Sequence, residues 1–136
     1  MTRHTCPDWF RDAKFGLFFH WGPYSVPAYQ NEWYSRNMYA GHTEQHRYHL
    51  EHYGNLSQFG YKDFIPMFTG DAFDPDAWAD LAQLAGARYA GPVSEHADNY
   101  SLWNSRVNPI NSVQTGPHRD IVGECFSSLR KRNIRT

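Results

Sequence analysis

The chain is 136 residues long and carries 13 lysines and arginines against 14 aspartates and glutamates, a formal net charge of −1. This near-neutral balance argues against a nucleic-acid partner, which selects for basic surfaces. No apolar run approaches the roughly 18 residues that a membrane-spanning helix requires. Aromatic residues make up 17% of the chain, a content that disordered chains lack. We therefore predict one folded domain over residues 1–136, with neither nucleic acid nor membrane as a partner.

The amino-terminal segment and the two cysteines indicate the cellular compartment in which the chain is expected to occur. Residues 1–12 contain no apolar core of a secretory signal. Cys6 and Cys125 are the two cysteines and lie near opposite ends of the chain. They are expected to be free thiols in a reducing compartment, and not a disulfide framework. The sequence thus predicts a cytoplasmic chain.

The first predicted strand lies near the amino terminus. Residues 13–20, AKFGLFFH, form a short apolar run typical of a buried strand, and Gly22 and Pro23 end it. Residues 21–73 then form an unusually long connection, since loops above about 12–15 residues are uncommon in compact domains and are usually functional or disordered. The many aromatic residues in this connection favour function over disorder.

The second half of the chain predicts further alternating elements. A helix is expected over residues 75–85, because Asp74 is a favourable N-cap and Gly86 stands where a left-handed cap ends a helix. The remaining predicted elements are a strand over 87–94, a helix over 120–132 and the start of another strand at Ile134. Strands that alternate with helices pair in parallel through crossover connections. A barrel of eight such units needs about 200–250 residues or more, so this chain is expected to hold only part of one.

Candidate binding residues cluster where the two predicted strands end. His20 ends the first strand, His96 follows the second, and the long connection adds Glu32 and Trp33. In parallel α/β folds, the loops after the carboxyl ends of strands build the active site. Imidazoles and carboxylates hydrogen-bond hydroxyl groups, and an aromatic ring offers a flat apolar face. These residues together predict a cleft for a polyhydroxylated ligand.

Several motifs resemble those of the glycoside hydrolase family 29 α-L-fucosidases. The matching stretches, in order, are AKFGLFFHWGPYSVPAY, EWYSRNMY, FDPDAWADLAQLAGARYA, EHADNYSLWNS and GPHRDIVGE. The resemblance implies a partial (β/α)8 TIM-type barrel, the first two βα units with a long loop after the first strand. It implies retaining hydrolysis of terminal α-L-fucosides without a cofactor or metal. It also implies that His20, Glu32, Trp33 and His96 bind fucose, with Phe18 lining the pocket for the sugar's methyl group.

The chain departs from the family pattern after the second predicted strand. Where the family usually has His-His-Asp-Gly-Phe or a similar run, the chain has Ala97 in place of an imidazole and Asn99 in place of glycine. Asn tolerates positive φ better than most residues. The family's nucleophile and acid/base residue come from later strands, and the pattern gives Asp98 no such role. We therefore assign no catalytic residue and expect the isolated chain to be an inactive N-terminal portion.

Two other interpretations of function stay open. The chain could be a non-catalytic fucose-binding module, or it could be completed by other copies of itself or by a separate C-terminal chain. An open sheet edge favours association in each case. An incomplete barrel is also expected to leave apolar side chains uncovered, so that the chain is oligomeric or partly molten. The side chains expected to be uncovered are Phe15, Leu17, Phe19, Tyr89 and Val93.

A histidine series in the long connection offers a metal-binding alternative. His42, His46, His49 and His52 would lie along one side of a helix, and imidazoles so arranged can bind zinc. No HExxH motif is present in the sequence. We predict a solvated helix with no metal.

Overall fold

The computed structural model describes residues 5–136, which fold as a mixed α/β structure. In chain order the elements are α1 (Asp8–Ala13), β1 (Gly16–Phe19), a first 3₁₀ helix (Pro23–Ser25), α2 (Tyr34–Asn37), α3 (Glu44–His52), a second 3₁₀ helix (Tyr61–Met67), α4 (Pro75–Leu84), β2 (Tyr89–Pro92) and α5 (Ile121–Lys131). None of the helices within residues 5–136 has the length and apolar character needed to cross a lipid bilayer.

The two strands form a parallel sheet. Gly16 lies opposite Tyr89, and the register continues to the carboxyl end of both strands. On the far side of β2, Arg135 pairs in parallel with Tyr89. The carbonyl of Arg135 accepts from the N–H of Ala90 at 2.8 Å. The predicted parallel pairing is therefore confirmed, while the strand predicted to start at Ile134 is reduced to a single β-bridge at Arg135.

Both strands are shorter than predicted, because residues at their predicted amino-terminal ends belong to the preceding helix or turn. The amino-terminal part of the first predicted strand belongs to α1, and Lys14 then turns the chain with a φ of 62°. The second predicted strand begins later, since the N–H of Ala87 donates to the carbonyl of Ala82 and so belongs to the end of α4. Gly86 has a φ of 84°, as its predicted role as a left-handed cap requires.

Helices α4 and α5 confirm the two predicted helices and cover one face of the sheet. The Asp74 carboxylate accepts from the N–H groups of the first turn of α4, and Asp120 does the same for Gly123 in α5. The two helices pack against each other, and α5 also packs against β2. Arg132, which caps the carboxyl end of α5, forms an ion pair with Asp76 of α4 at 2.8 Å. The ion pair therefore joins the two helices that cover the sheet.

Leu17 and Phe19, which are predicted to be uncovered, are instead half-buried. Leu17 packs into a cluster with residues of α4 and α5, and the Phe19 ring lies 4.7 Å from that of Trp78. Side chains alternate along a strand, so Phe18 points to the opposite face, where it is 74% exposed. Tyr89 was also expected to be uncovered, but α1 lies beside it.

Helix α1 was not predicted, and it explains why Tyr89 is half-buried. The Tyr89 ring lies 5.1 Å from that of Phe10 and 6.3 Å from that of Trp9. Phe15, in contrast, is 43% exposed, as expected, while Val93 is half-buried. The uncovered apolar surface of the sheet is therefore smaller than predicted and centres on Phe18.

The long connection is ordered. It folds as the first 3₁₀ helix, α2, α3 and the second 3₁₀ helix around an aromatic cluster. Tyr34, Met38 and Phe64 of this cluster are fully buried. The connection thus packs around a core of its own beside the carboxyl ends of the strands.

Candidate functional site

Three residues predicted to form the site meet at the carboxyl ends of the strands. His20 directly follows β1, His96 lies in the turn after β2, and Glu32 reaches them from the long connection. Their nitrogen and oxygen atoms lie within 4.8 Å of one another. The imidazole rings of His20 and His96 meet edge to face with centroids 5.1 Å apart. Together they form a compact set of hydrogen-bonding groups.

Trp33 completes this cluster with an aromatic face. Its ring lies 4.9 Å from that of His96, and its side chain is 42% exposed. The Nδ1 atom of His96 is buried and has no hydrogen-bond partner within residues 5–136. Buried polar atoms are nearly always paired, so this nitrogen marks a position where a ligand group or water can bind.

Phe18 stands at the same end of the sheet. Because side chains alternate along β1, Phe18 and His20 point to the same face, and their ring centroids lie 5.9 Å apart. The exposed Phe18 ring thus adds an apolar surface next to the polar cluster. The five predicted site residues therefore gather in one region.

A cavity of about 310 Å³ extends from this cluster along the long connection. It is lined by His20, Tyr24, Ser25, Ala28, Tyr29, Gln30, Asn31 and Glu32. The side-chain amide of Gln30, which lines the cavity, donates to the carboxylate of Glu44 on α3 at 2.6 Å. This hydrogen bond links the cavity lining to α3.

Tyr24 and Tyr29 are cavity residues that the sequence analysis missed. Tyr24 lies in the WGPYS stretch immediately after the first strand, which is the signal that could have found it. Its ring lies 5.8 Å from that of His96. Burial, followed by the nearby Asp98 and Glu32 carboxylates, raises the pKa of Tyr24 above its usual range. Its hydroxyl therefore stays protonated and can donate a hydrogen bond.

The two departures from the family pattern lie in the turn after β2. Asn99 has a φ of 56°, the left-handed conformation that asparagine tolerates, and Ala97 is exposed. Between them, Asp98 uses both carboxylate oxygens within the protein. Oδ2 accepts from the hydroxyl of Tyr61 at 2.6 Å, and Oδ1 accepts from the N–H of Tyr100 at 3.1 Å. Asp98 is therefore a structural carboxylate in this geometry.

The histidine series on α3 does not converge on one point. His49 is buried, with Nδ1 lying 3.2 Å from the Tyr34 hydroxyl and Nε2 lying 2.9 Å from the carbonyl of Phe59. His46 instead contacts the carbonyl of Met38 at 2.7 Å. These rings are hydrogen-bonded to different parts of the long connection.

The group that could hold a metal is the site cluster itself. His20, Glu32 and His96 offer two imidazoles and one carboxylate, a donor set that zinc sites use. The same groups also suit sugar hydroxyls. The sequence-based expectation that this site takes no metal stays a prediction.

Comparison with known proteins identifies the family of the chain. The family model described as Alpha-L-fucosidase matches residues 1–136. The chain belongs to the α-L-fucosidase family. Tissue α-L-fucosidase of Rattus norvegicus is 46% identical over 131 residues, and that of Homo sapiens is 45% identical over the same length. Each alignment covers 95% of this chain and 28% of the relative, so the chain spans little more than a quarter of their length.

Solved structures agree with this assignment. The structure of Thermotoga maritima α-fucosidase in complex with fucose matches this fucosidase-family chain with a TM-score of 0.92 at 38% identity. The match covers 97% of this chain and 33% of that chain. The family resemblance recognised in the sequence is thus confirmed, and the fold agrees with that of a fucosidase over almost all of the chain.

Proposed function

We propose that this chain forms the fucose-binding part of a retaining α-L-fucosidase that acts on terminal α-L-fucosides of glycans or glycoconjugates. In this proposal its two βα units are the first two of a (β/α)8 barrel. The main observation behind this proposal is the cluster of His20, Glu32 and His96, whose nitrogen and oxygen atoms lie within 4.8 Å of one another. The cluster lies beside the exposed ring of Trp33. The two imidazoles and the carboxylate hydrogen-bond vicinal hydroxyls, and the indole stacks on the C–H face of the sugar. Phe18 faces the sugar's methyl group.

The chemistry of a retaining hydrolase needs two carboxyl groups about 5–5.5 Å apart, one to attack and one to protonate the leaving group. Within the described residues, the two carboxylates on either side of His96 in sequence have other partners. Asp98 accepts from Tyr61, and Glu95 accepts from Ser101. We therefore propose that the chain supplies sugar recognition, and that the nucleophile and the acid/base residue come from a complementing C-terminal segment or chain.

The second candidate is a fucose-binding module that does not hydrolyse. The same engagement of Asp98 and Glu95 favours it. The two candidates differ in what a complementing segment does. Adding the C-terminal part of a relative restores hydrolysis under the first proposal, and leaves only binding under the second.

Isothermal titration of the 136-residue chain with L-fucose tests the shared step of both proposals. D-fucose is the matched control, because it has the same groups in mirror-image arrangement. We expect L-fucose to bind and D-fucose not to bind, and we expect Glu32→Gln to weaken L-fucose binding. Equal affinity for the two enantiomers contradicts the proposal, and so does an L-fucose affinity that is the same in wild type and Glu32→Gln.

A further inference from the structure

We propose that Tyr61 and Asp98 are positioning residues that set the place of His96 in the site. The inference rests on the proposed function only in taking His96 as a sugar-binding group. Tyr61 opens the second 3₁₀ helix of the long connection, and Asp98 lies in the turn after β2. The hydroxyl of Tyr61 donates to Oδ2 of Asp98 at 2.6 Å. This hydrogen bond joins the two segments that carry the site.

The turn that contains His96 is shaped by hydrogen bonds of its own. The N–H of Asn99 donates to the carbonyl of His96 at 3.0 Å. Oδ1 of Asp98 accepts from the N–H of Tyr100 at 3.1 Å, a local bond typical of aspartate in turns. The side chain of Asn108 donates to the carbonyl of Asn99 at 2.7 Å. The turn is thus closed by hydrogen bonds of its own, and Asp98 is the residue through which Tyr61 of the long connection contacts it.

Tyr61 is itself firmly held. Its ring is buried in the aromatic cluster of the long connection, and its backbone N–H donates to the hydroxyl of Tyr39 at 2.8 Å. Burial, followed by the charge of Asp98 and the hydrogen bond to it, raises the pKa of Tyr61 well above its usual range. The phenol therefore stays protonated and acts as the donor. Hydrogen bonds to a charged acceptor are stronger than those between neutral groups.

His96 depends on this anchor because, within residues 5–136, its ring is oriented by packing between two segments and not by a hydrogen bond at Nδ1. Its buried Nδ1 has no hydrogen-bond partner among the residues that the structure describes. The ring is instead placed by packing against His20, Tyr24 and Trp33, at centroid distances of 5.1, 5.8 and 4.9 Å. Trp33 belongs to the long connection, and His96 belongs to the turn after β2. The Tyr61–Asp98 hydrogen bond therefore joins the segment that carries Trp33 to the turn that carries His96.

Tyr61→Phe removes the donated hydrogen bond and keeps the ring. Tyr53→Phe is the matched control, since both tyrosines pack against Phe64 in the same cluster. The first measurement is the nuclear Overhauser effect between the ring protons of His96 and Trp33 in the full 136-residue chain, which does not depend on sugar. The second is the L-fucose dissociation constant. We expect Tyr61→Phe to lose the ring contact and weaken L-fucose binding about tenfold, and Tyr53→Phe to keep both.

Substitutions at Asp98 separate positioning from a direct role of its charge. In Asp98→Asn, the amide oxygen still accepts from the N–H of Tyr100, and the amide nitrogen donates to the Tyr61 hydroxyl oxygen, so that the link is kept with its direction reversed. In Asp98→Ala, neither bond forms. We expect Asn to preserve the contact between His96 and Trp33 and Ala to lose it, with near-ultraviolet dichroism confirming that both variants fold.

Two outcomes overturn the inference. An unchanged ring contact in both Tyr61→Phe and Asp98→Ala shows that the bond does not position His96. Equal loss of sugar binding in Asp98→Asn and Asp98→Ala, with the ring contact intact, assigns Asp98 to the ligand. If the wild-type chain shows the ring contact but does not bind L-fucose, the proposed function fails, and the ring contact still decides the positioning role.

Discussion

The imidazole rings of His20 and His96 meet edge to face with centroids 5.1 Å apart. The two histidines lie far apart in the sequence. The parallel register of Phe19 with Pro92 brings the carboxyl ends of β1 and β2 to one edge of the sheet, and each histidine follows its strand at that edge. The pair of rings therefore depends on the strand pairing, and Glu32 joins it from the long connection.

Removing one imidazole of this pair is expected to weaken sugar binding. His96→Ala deletes a hydrogen-bonding group from the cluster, and a lost hydrogen bond of about 1.5 kcal/mol corresponds to about a tenfold higher dissociation constant for L-fucose. The control is His42→Ala, because His42 is an exposed residue of the long connection. Titration calorimetry of both variants measures the effect. Equal weakening by the two changes would contradict the assigned site.

The isolated chain is expected not to hydrolyse an aryl α-L-fucoside. The reason is that Asp98 and Glu95 are hydrogen-bonded to Tyr61 and Ser101, and Glu32 is the one carboxylate of the site cluster within the described residues. Release of the aryl alcohol, followed against a buffer blank, measures the activity. Turnover that Asp98→Ala or Glu32→Ala abolishes would show that a catalytic pair exists within this chain.

Chelation is expected to leave the thermal stability unchanged. His49 has both ring nitrogens hydrogen-bonded to the protein, and His20, Glu32 and His96 are assigned to the sugar. A melting curve recorded with and without a chelator tests this. A cation that binds only the folded chain raises its melting temperature. Stabilisation by zinc that the chelator reverses, and that His96→Ala abolishes, would overturn the prediction and place a metal in the cluster.

The purified chain is expected to associate through the uncovered face of its sheet. Phe18 is 74% exposed there, and within the described residues β1 is paired on one side only. Exposed apolar surface and unpaired strand edges both favour association. Light scattering after size exclusion should show more monomer for Phe18→Ser than for wild type. Leu84→Ser is the control, since Leu84 is 85% exposed but lies on α4. A monomeric wild-type chain at all concentrations would disprove this expectation.

The buried thiol of Cys125 makes stability depend on pH in the alkaline range. Burial, and secondarily the charge of Glu124, raises the pKa of Cys125 from 9.0 to about 12. Below pH 9 both states keep the proton, so this contribution to stability is fully present. As pH rises towards 12, the unfolded chain loses the proton while the folded chain keeps it, and stability falls.

Melting temperatures across this pH range measure the effect of the thiol. Cys125→Ala should show a shallower fall than wild type, although it is less stable at every pH because it leaves a small cavity. Cys6→Ala should follow wild type, since Cys6 is exposed. Parallel curves for wild type and Cys125→Ala would show that other groups, such as the buried tyrosines, govern the alkaline range.

The sequence by itself determined those features that depend on short-range signals. Asp74 and Gly86 bound α4 because capping involves residues within a few positions of the helix end. His20 and His96 were placed at one edge because strands joined through a helix pair in parallel. Glu32 and Trp33 were assigned from the family resemblance and from their side-chain chemistry, and they lie where these two histidines meet.

Tertiary structure alone decided which face of each strand is covered and how the long connection folds. Both faces of β1 carry apolar side chains, so alternation could not show that Leu17 packs on the helices while Phe18 stays exposed. The contact of Tyr24 with His96 and the bond between Tyr61 and Asp98 join residues far apart in sequence. Such contacts follow from the packing of the aromatic cluster as a whole, because no local pattern specifies which buried hydroxyl reaches which carboxylate.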